Sequence, residues 1–343
     1  MNLRPLRWTI GGAAALVSAP ALALPPALVA TNLAGVYAFA AAPAGFDAFA
    51  AAPEVLAQFG YPPRPSPGAG RAYDMWARAV RAERTRIVPI LRQTDLAAGA
   101  ALHPRRGLRG GTGTSKNWSA AVIANNASHY GTGSFHSVAA WFNVPAANQA
   151  VGACTGGWDH LFSWAGLDGW WNDEVFQAGT ASDAYCAGGT TQQFYTAWYE
   201  WYPSLSVEIT NLPVTAGDAM VVWLIASNDT SGTAWVVNVT SGVSVDVNFS
   251  APAGTVLVGN SAEWVQERPY ESGVLATLTN YGAAWMSTAG ATLLGSNTVY
   301  TMGNPGNATP LLVTMLDNNG AAISFPSELG GNATAFEVEG SAK

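Results

Sequence analysis

Basic side chains almost vanish from the later two thirds of this chain. From Ser115 to residue 343 only Lys116, Arg268 and Lys343 are basic, against 17 Asp and Glu. The preceding residues hold the other 12, all Arg, with 5 acidic ones; the two parts carry +7 and −14, which sum to −7. A domain so poor in cations is a poor partner for nucleic acid. It also lacks the partners that usually depress carboxylate pKa values, so the common route to acid unfolding is largely closed. Full protonation would leave a charge of only about +3 besides His and the terminus, so self-repulsion stays small in acid. The composition suits an acidic milieu.

Other absences narrow the chemistry. No Gly-x-Ser-x-Gly elbow, no Asp-Thr/Ser-Gly and no His-Glu-x-x-His helix is present. The four histidines, His103, His129, His136 and His160, lack short metal-ligand spacing, and the two cysteines are too far apart for a zinc knuckle. We expect no metal and no cofactor. Apart from the N-terminal run, no apolar stretch is long enough for a membrane span.

That N-terminal run reads as a secretory signal over residues 1–23. Arg4 and Arg7 supply its positive end, Trp8 to Pro20 its apolar part, and Ala21-Leu22-Ala23 a small-residue cleavage pattern. An uncleaved anchor is the alternative. Export places Cys154 and Cys186, the only cysteines, in an oxidising space where they can pair; two buried thiols are the other reading.

Residues 24–114, rich in Ala, Pro and Arg, read as a partly helical propeptide. Helical spacing runs from Arg71 to Val88, with Tyr73, Trp76, Val80 and Ile87 near one face. The stretch from Pro104 to Ser115 is a basic, Gly-rich linker open to proteolysis. From Asn117 onward short alternating segments, among them Val207–Thr210, Ala234–Thr240 and Val243–Phe249, are separated by turn residues. Strands of 5–8 residues at that interval predict an all-β antiparallel sandwich over residues 115–343, with no long helix.

Three segments in that domain carry the chemistry. They are Trp164-Ala-Gly-Leu-Asp168-Gly leading into Phe176-Gln177-Ala-Gly179, then Trp198-Tyr-Glu200-Trp-Tyr-Pro203, then Ala262-Glu263-Trp-Val-Gln-Glu267. Each sets a carboxylate or carboxamide among aromatic rings, where excluded water raises a carboxyl pKa. Glu263 and Glu267 fall on one strand face by period two, so alternation does not choose between them. In order, these segments resemble the glutamic peptidases, or eqolisins, and the resemblance extends from about Lys116 onward. Asn117-Trp118 matches an opening motif of that family; Ala120 stands where Gly is usual and Ala165 where Val is common.

The resemblance implies a lectin-like, concanavalin A-type jelly roll of two curved sheets. It also implies a secreted endopeptidase working in acid on protein and peptide substrates, as a monomer and without a membrane attachment once the signal is gone. Glu263 matches the catalytic Glu and Gln177 the catalytic Gln; Trp164, Asp168, Trp198 and Glu200 match substrate-binding positions around them. Opposite charges in the two parts lead us to expect that propeptide Arg side chains sit on cleft carboxylates. The competing function is a carbohydrate-binding sandwich, or a glycosidase using Glu200 and Glu263, in which the Trp and Tyr rings stack on sugars.

Overall fold

The computed structural model describes residues 26–102, 111–150, 154, 156–326 and 336–340. The signal sequence, His103 and most of the basic linker lie outside them. We number the main strands β1 (Trp118–Ala124), β2 (Phe135–Asn143), β3 (Phe162–Leu167), β4 (Val175–Ala187), β5 (Thr190–Tyr202), β6 (Ala219–Asn228), β7 (Ser231–Asn238), β8 (Val243–Ser250), β9 (Ser261–Glu267), β10 (Ala283–Leu293) and β11 (Thr309–Leu316).

They form two antiparallel sheets. The first runs β11-β1-β9-β3-β4-β5 and continues through Val207–Ile209 to Leu91–Gln93. The second runs β10-β2-β6-β7-β8 and continues through Tyr37–Phe39 to Leu28–Ala30. Ala322–Pro326 and Phe336–Gly340 bridge the β11 edge of one to the β10 edge of the other. The expected all-β sandwich is present, and its matched boundaries follow the period-two pattern. Several strands run beyond the expected 5–8 residues: β2 has 9, β6 10 and β10 11, and each arm of the β4–β5 hairpin has 13. Gly188 and Gly189, with φ of +59° and +81°, make its two-residue turn, a conformation that side chains disfavour.

Alternation sorts the aromatic residues. Phe176, Tyr199, Trp201 and Trp264 point into the core between the sheets, where they meet Phe142, Val222, Val236 and Val247. The residues between them, Trp118, Phe162, Trp164 and Trp198, face outward from the first sheet yet are equally buried. The N-terminal segment covers them.

That segment is built into the sandwich. Its helices α1 (Pro53–Gln58) and α2 (Arg71–Ala82) lie on the outer face of the second sheet, packing Met75 and Trp76 against Val221, Trp223 and Trp235. Burying each such side chain contributes about 2–3 kcal/mol. The helix stops at Ala82, short of the expected Val88. Thr85–Arg86 instead pairs in parallel with β8, and Glu83 turns back to accept a hydrogen bond from Trp235 Nε1 at 2.9 Å. Arg86 lies buried beside Glu83 (3.1 Å) and Asp246 (3.5 Å) of β8. Cys154 and Cys186 form a disulfide that ties the chain before β3 to the end of β4.

Candidate active site

Three adjacent strands place the two predicted catalytic residues. Gly166 of β3 lies opposite Gln177 of β4 on one side and Glu263 of β9 on the other, while Glu200 of β5 lies beyond Gln177. Residues paired across neighbouring strands share a face, so Glu263, Gln177 and Glu200 all project from the outer face of the first sheet. With strands about 4.8 Å apart, Gln177 and Glu263 have backbones roughly 10 Å apart. Gly166, with no side chain, lets the Trp164 ring pack over the strand between them. A Cβ there would stand 2.7 Å from the Trp164 ring and 3.2 Å from Gln177 Cβ.

Both side chains are fully buried. Neither oxygen of Glu263 has a hydrogen-bond partner, nor does Gln177 Oε1. Burial raises the Glu263 pKa well above the usual carboxylate range; the Ser261 hydroxyl opposes that shift and the nearby charge of Asp168 adds to it. Gln177 Nε2 donates to the backbone carbonyl of Ala98 at 2.5 Å. A buried carboxyl, an amide and open acceptor atoms around one face are what a water-activating site requires.

The remaining predicted residues surround this pair in different ways. Glu200 Oε2 accepts the backbone N–H of Ala98 at 3.0 Å. Trp164 and Trp198 are buried walls of the same face, and Trp164 Nε1 donates to Glu267 Oε2 at 2.8 Å. Asp168 is engaged elsewhere: its carboxylate accepts backbone N–H groups of Val258, Gly259 and Asn260 at 2.6–3.1 Å. It holds a positive φ of 70°, disfavoured for a side-chain-bearing residue. Burial raises its pKa, and those three N–H groups pull the other way. Its contacts fix the loop that leads into β9, and so the position of Glu263.

Glu267 does face the same way as Glu263. It accepts hydrogen bonds from Gly99 N–H (3.1 Å), Asn117 Nδ2 (2.9 Å) and Trp164 Nε1 (2.8 Å). Burial raises the pKa of Glu200 and of Glu267 well above normal; bonds from Ala98 to the first, and from Asn117 and Trp164 to the second, lower it in part. Asn117 Nδ2 also donates to the Gly99 carbonyl at 3.4 Å and the Tyr270 ring packs against Gly99; neither contact is legible in the sequence, because a distant segment must cross the sheet to make it.

The segment in the cleft is Leu96–Leu102, which carries no charge. Contrary to the expectation, no Arg among the described residues meets Glu200, Glu263 or Glu267; Arg105, Arg106 and Arg109 lie outside the described residues. Among the described residues, Arg86 pairs with Asp246 on the second sheet and the exposed Arg92 with Glu208. Backbone N–H groups of Ala98 and Gly99 meet Glu200 and Glu267 instead, without burying guanidinium groups. Among the described residues no three His, Cys, Asp or Glu gather in a way that could hold a metal, and no helix is long and apolar enough to cross a membrane.

Comparison with known proteins settles the family. The profile of the Peptidase A4 family matches residues 116–321. The chain belongs to the Peptidase A4 family. It is 29% identical to aspergillopepsin-2 of Aspergillus niger over 233 residues, covering 65% of this chain and 78% of that one. It is 32% identical to scytalidopepsin B of Scytalidium lignicola over 178 residues, covering 51% and 61%. The crystal structure of scytalido-glutamic peptidase with a transition-state analogue inhibitor has the same fold, with a TM-score of 0.52 at 24% identity over 66% of this chain and 98% of that one. This Peptidase A4 member is thus a hydrolase of the glutamic peptidase type, and its family supports a secreted-type acid endopeptidase in general. Membership sets the carbohydrate-binding alternative aside.

Proposed function

We propose that the chain is a secreted acid endopeptidase in which Glu263 and Gln177 activate a water against a peptide carbonyl. We propose further that residues 24–114 are a pro-segment filling the cleft until it is removed. One observation carries the reading: Gln177 Nε2 already donates to a backbone carbonyl, that of Ala98, while Gln177 Oε1 and both Glu263 oxygens on the same face are unpartnered.

A water between those acceptors would be held by Gln177 C=O and lose a proton to Glu263 as it attacks. Gln177 NH₂ would meet the oxygen on which negative charge develops, and Glu263 would return the proton to the leaving nitrogen. Because an amide does not ionise, this donor keeps its function in strong acid, where a Ser–His pair would be disabled by protonation of the His.

The test is incubation of the purified protein with denatured casein between about pH 2 and pH 4, with pepstatin present. Hydrolysis that resists pepstatin and is lost in Glu263→Gln supports the reading. A folded protein freed of residues 24–114 that leaves casein intact throughout this range rejects it.

A further inference from the structure

The segment crossing the cleft is held atom by atom on either side of one peptide bond. Ala98 gives its N–H to Glu200 Oε2, and its carbonyl oxygen accepts from Gln177 Nε2. Gly99 gives its N–H to Glu267 Oε1 at 3.1 Å, and its carbonyl accepts from Trp118 Nε1 at 3.0 Å. Immediately before this bond, Leu96–Ala97 pairs as a strand with Tyr270–Glu271. That hairpin brings the Tyr270 ring over Gly99. A Cβ on Gly99 would lie 2.7 Å from Tyr270 Cε2, 3.1 Å from its Cδ2 and 3.7 Å from Tyr202 Cε2. Past Gly99 the groove opens into a pocket of about 600 Å³ beside Ala100, Ala101 and Leu102. The constriction is therefore local to one residue.

From this geometry we infer that Tyr270 makes the subsite following the scissile carbonyl selective for glycine, and that Ala98–Gly99 is the first bond the protein cuts in itself. The inference rests on the proposed Glu263–Gln177 chemistry. In that step the oxygen of a water joins the Ala98 carbonyl carbon. A proton passes by way of Glu263 to the Gly99 nitrogen, and the C–N bond breaks to leave a carboxyl group on Ala98 and an amino group on Gly99. Glu200 and Glu267 grip the two N–H groups that flank the carbonyl, and a substrate offers those groups whatever its side chains. Selection falls to the wall: glycine fits under Tyr270, whereas alanine requires the ring to move.

The full chain, acidified to about pH 3 and followed by intact-mass spectrometry, should show its earliest new N-terminus at Gly99. Gly99→Ala should slow that cut at least about tenfold, the scale of overpacking one methyl group. Adding Tyr270→Ala to Gly99→Ala should restore most of the rate. The matured enzyme should hydrolyse the peptide Leu-Ala-Ala-Gly-Ala-Ala-Leu at least about tenfold better, in kcat/KM, than its Gly→Ala counterpart, and Tyr270→Ala should shrink that ratio. The peptide measurement stands even if a precursor variant does not fold. A first cut at another bond with Ala98–Gly99 left intact, or equal rates on the two peptides, overturns the inference. Casein measured in parallel separates the two levels: an enzyme active on casein without glycine selectivity rejects only this subsite, and one inert on casein rejects the proposed chemistry itself.

Discussion

Gln177 and Glu263 share a cross-strand row with Gly166 between them, and the Trp164 ring packs over that glycine. The spacing is set by strand geometry, and the close approach of the ring by the missing side chain.

Removal of either functional group should therefore abolish turnover and leave the fold. Glu263→Gln and Gln177→Ala are each expected to lower kcat at least about a hundredfold, the scale of losing a general base or an oxyanion donor. Steady-state kinetics on casein-derived peptides, with circular dichroism to confirm folding, checks this. Glu267→Gln should be milder in kcat and act mainly on KM, since Glu267 binds a backbone N–H beside the reacting carbonyl. The reverse ranking would move the catalytic role to Glu267.

Gly166→Ala tests the spacing itself. The added methyl group would meet the Trp164 ring and Gln177 Cβ. Overpacking on this scale costs about 1–3 kcal/mol, so we expect a small loss in melting temperature with a much larger loss in kcat. Native turnover in this variant would show that the alignment of Gln177 with Glu263 is not critical.

Stability of the intact chain should fall as pH rises from acid to neutral. Burial raises the pKa of Glu263, Glu200 and Glu267 in the folded state. Below the unfolded carboxyl value of about 4.3 both states hold these protons and the full stability is present. Above it the unfolded chain ionises first while the folded chain retains its protons, so unfolding gains until the raised folded values are passed. Thermal melts of a Gln177→Ala/Glu263→Gln precursor from about pH 3 to pH 7 should show a weaker dependence than the Gln177→Ala parent, both being inert to self-cleavage on the proposed chemistry. A parent protein that grows more stable over this range would contradict the assignment.

Arg86 anchors the N-terminal segment at a distance from the cleft. Both it and Asp246 are almost wholly buried, and burial raises the Asp246 pKa while the Arg86 charge opposes that shift. Arg86→Ala would leave Asp246 without its cation, and breaking such a buried pair costs about 3–5 kcal/mol. Urea unfolding of the precursor measures it. The same unfolding curve for variant and parent would mean that Asp246 takes up a proton at no cost.

The sequence alone determined the layers and the candidate positions for the chemistry. Alternation in Val243–Ser250 specified a strand whose apolar face lines the core, and the order of the three aromatic-carboxyl segments marked Gln177 and Glu263 as the candidates. It could not separate Trp198 from Trp201 by environment, because both outer and inner faces of the first sheet are covered and buried. Nor did it reveal that Arg71–Val88 would break after Ala82, since the competing strand partner, β8, lies more than 150 residues away. Tertiary structure decided what occupies the cleft. Net charge pointed to Arg on carboxylate, but such pairs would have to be desolvated in the groove, whereas the backbone of Ala98 and Gly99 supplies donors already fixed in an extended chain. Long-range contacts of this kind depend on which segments the folded chain brings together, and no local pattern in the sequence records that.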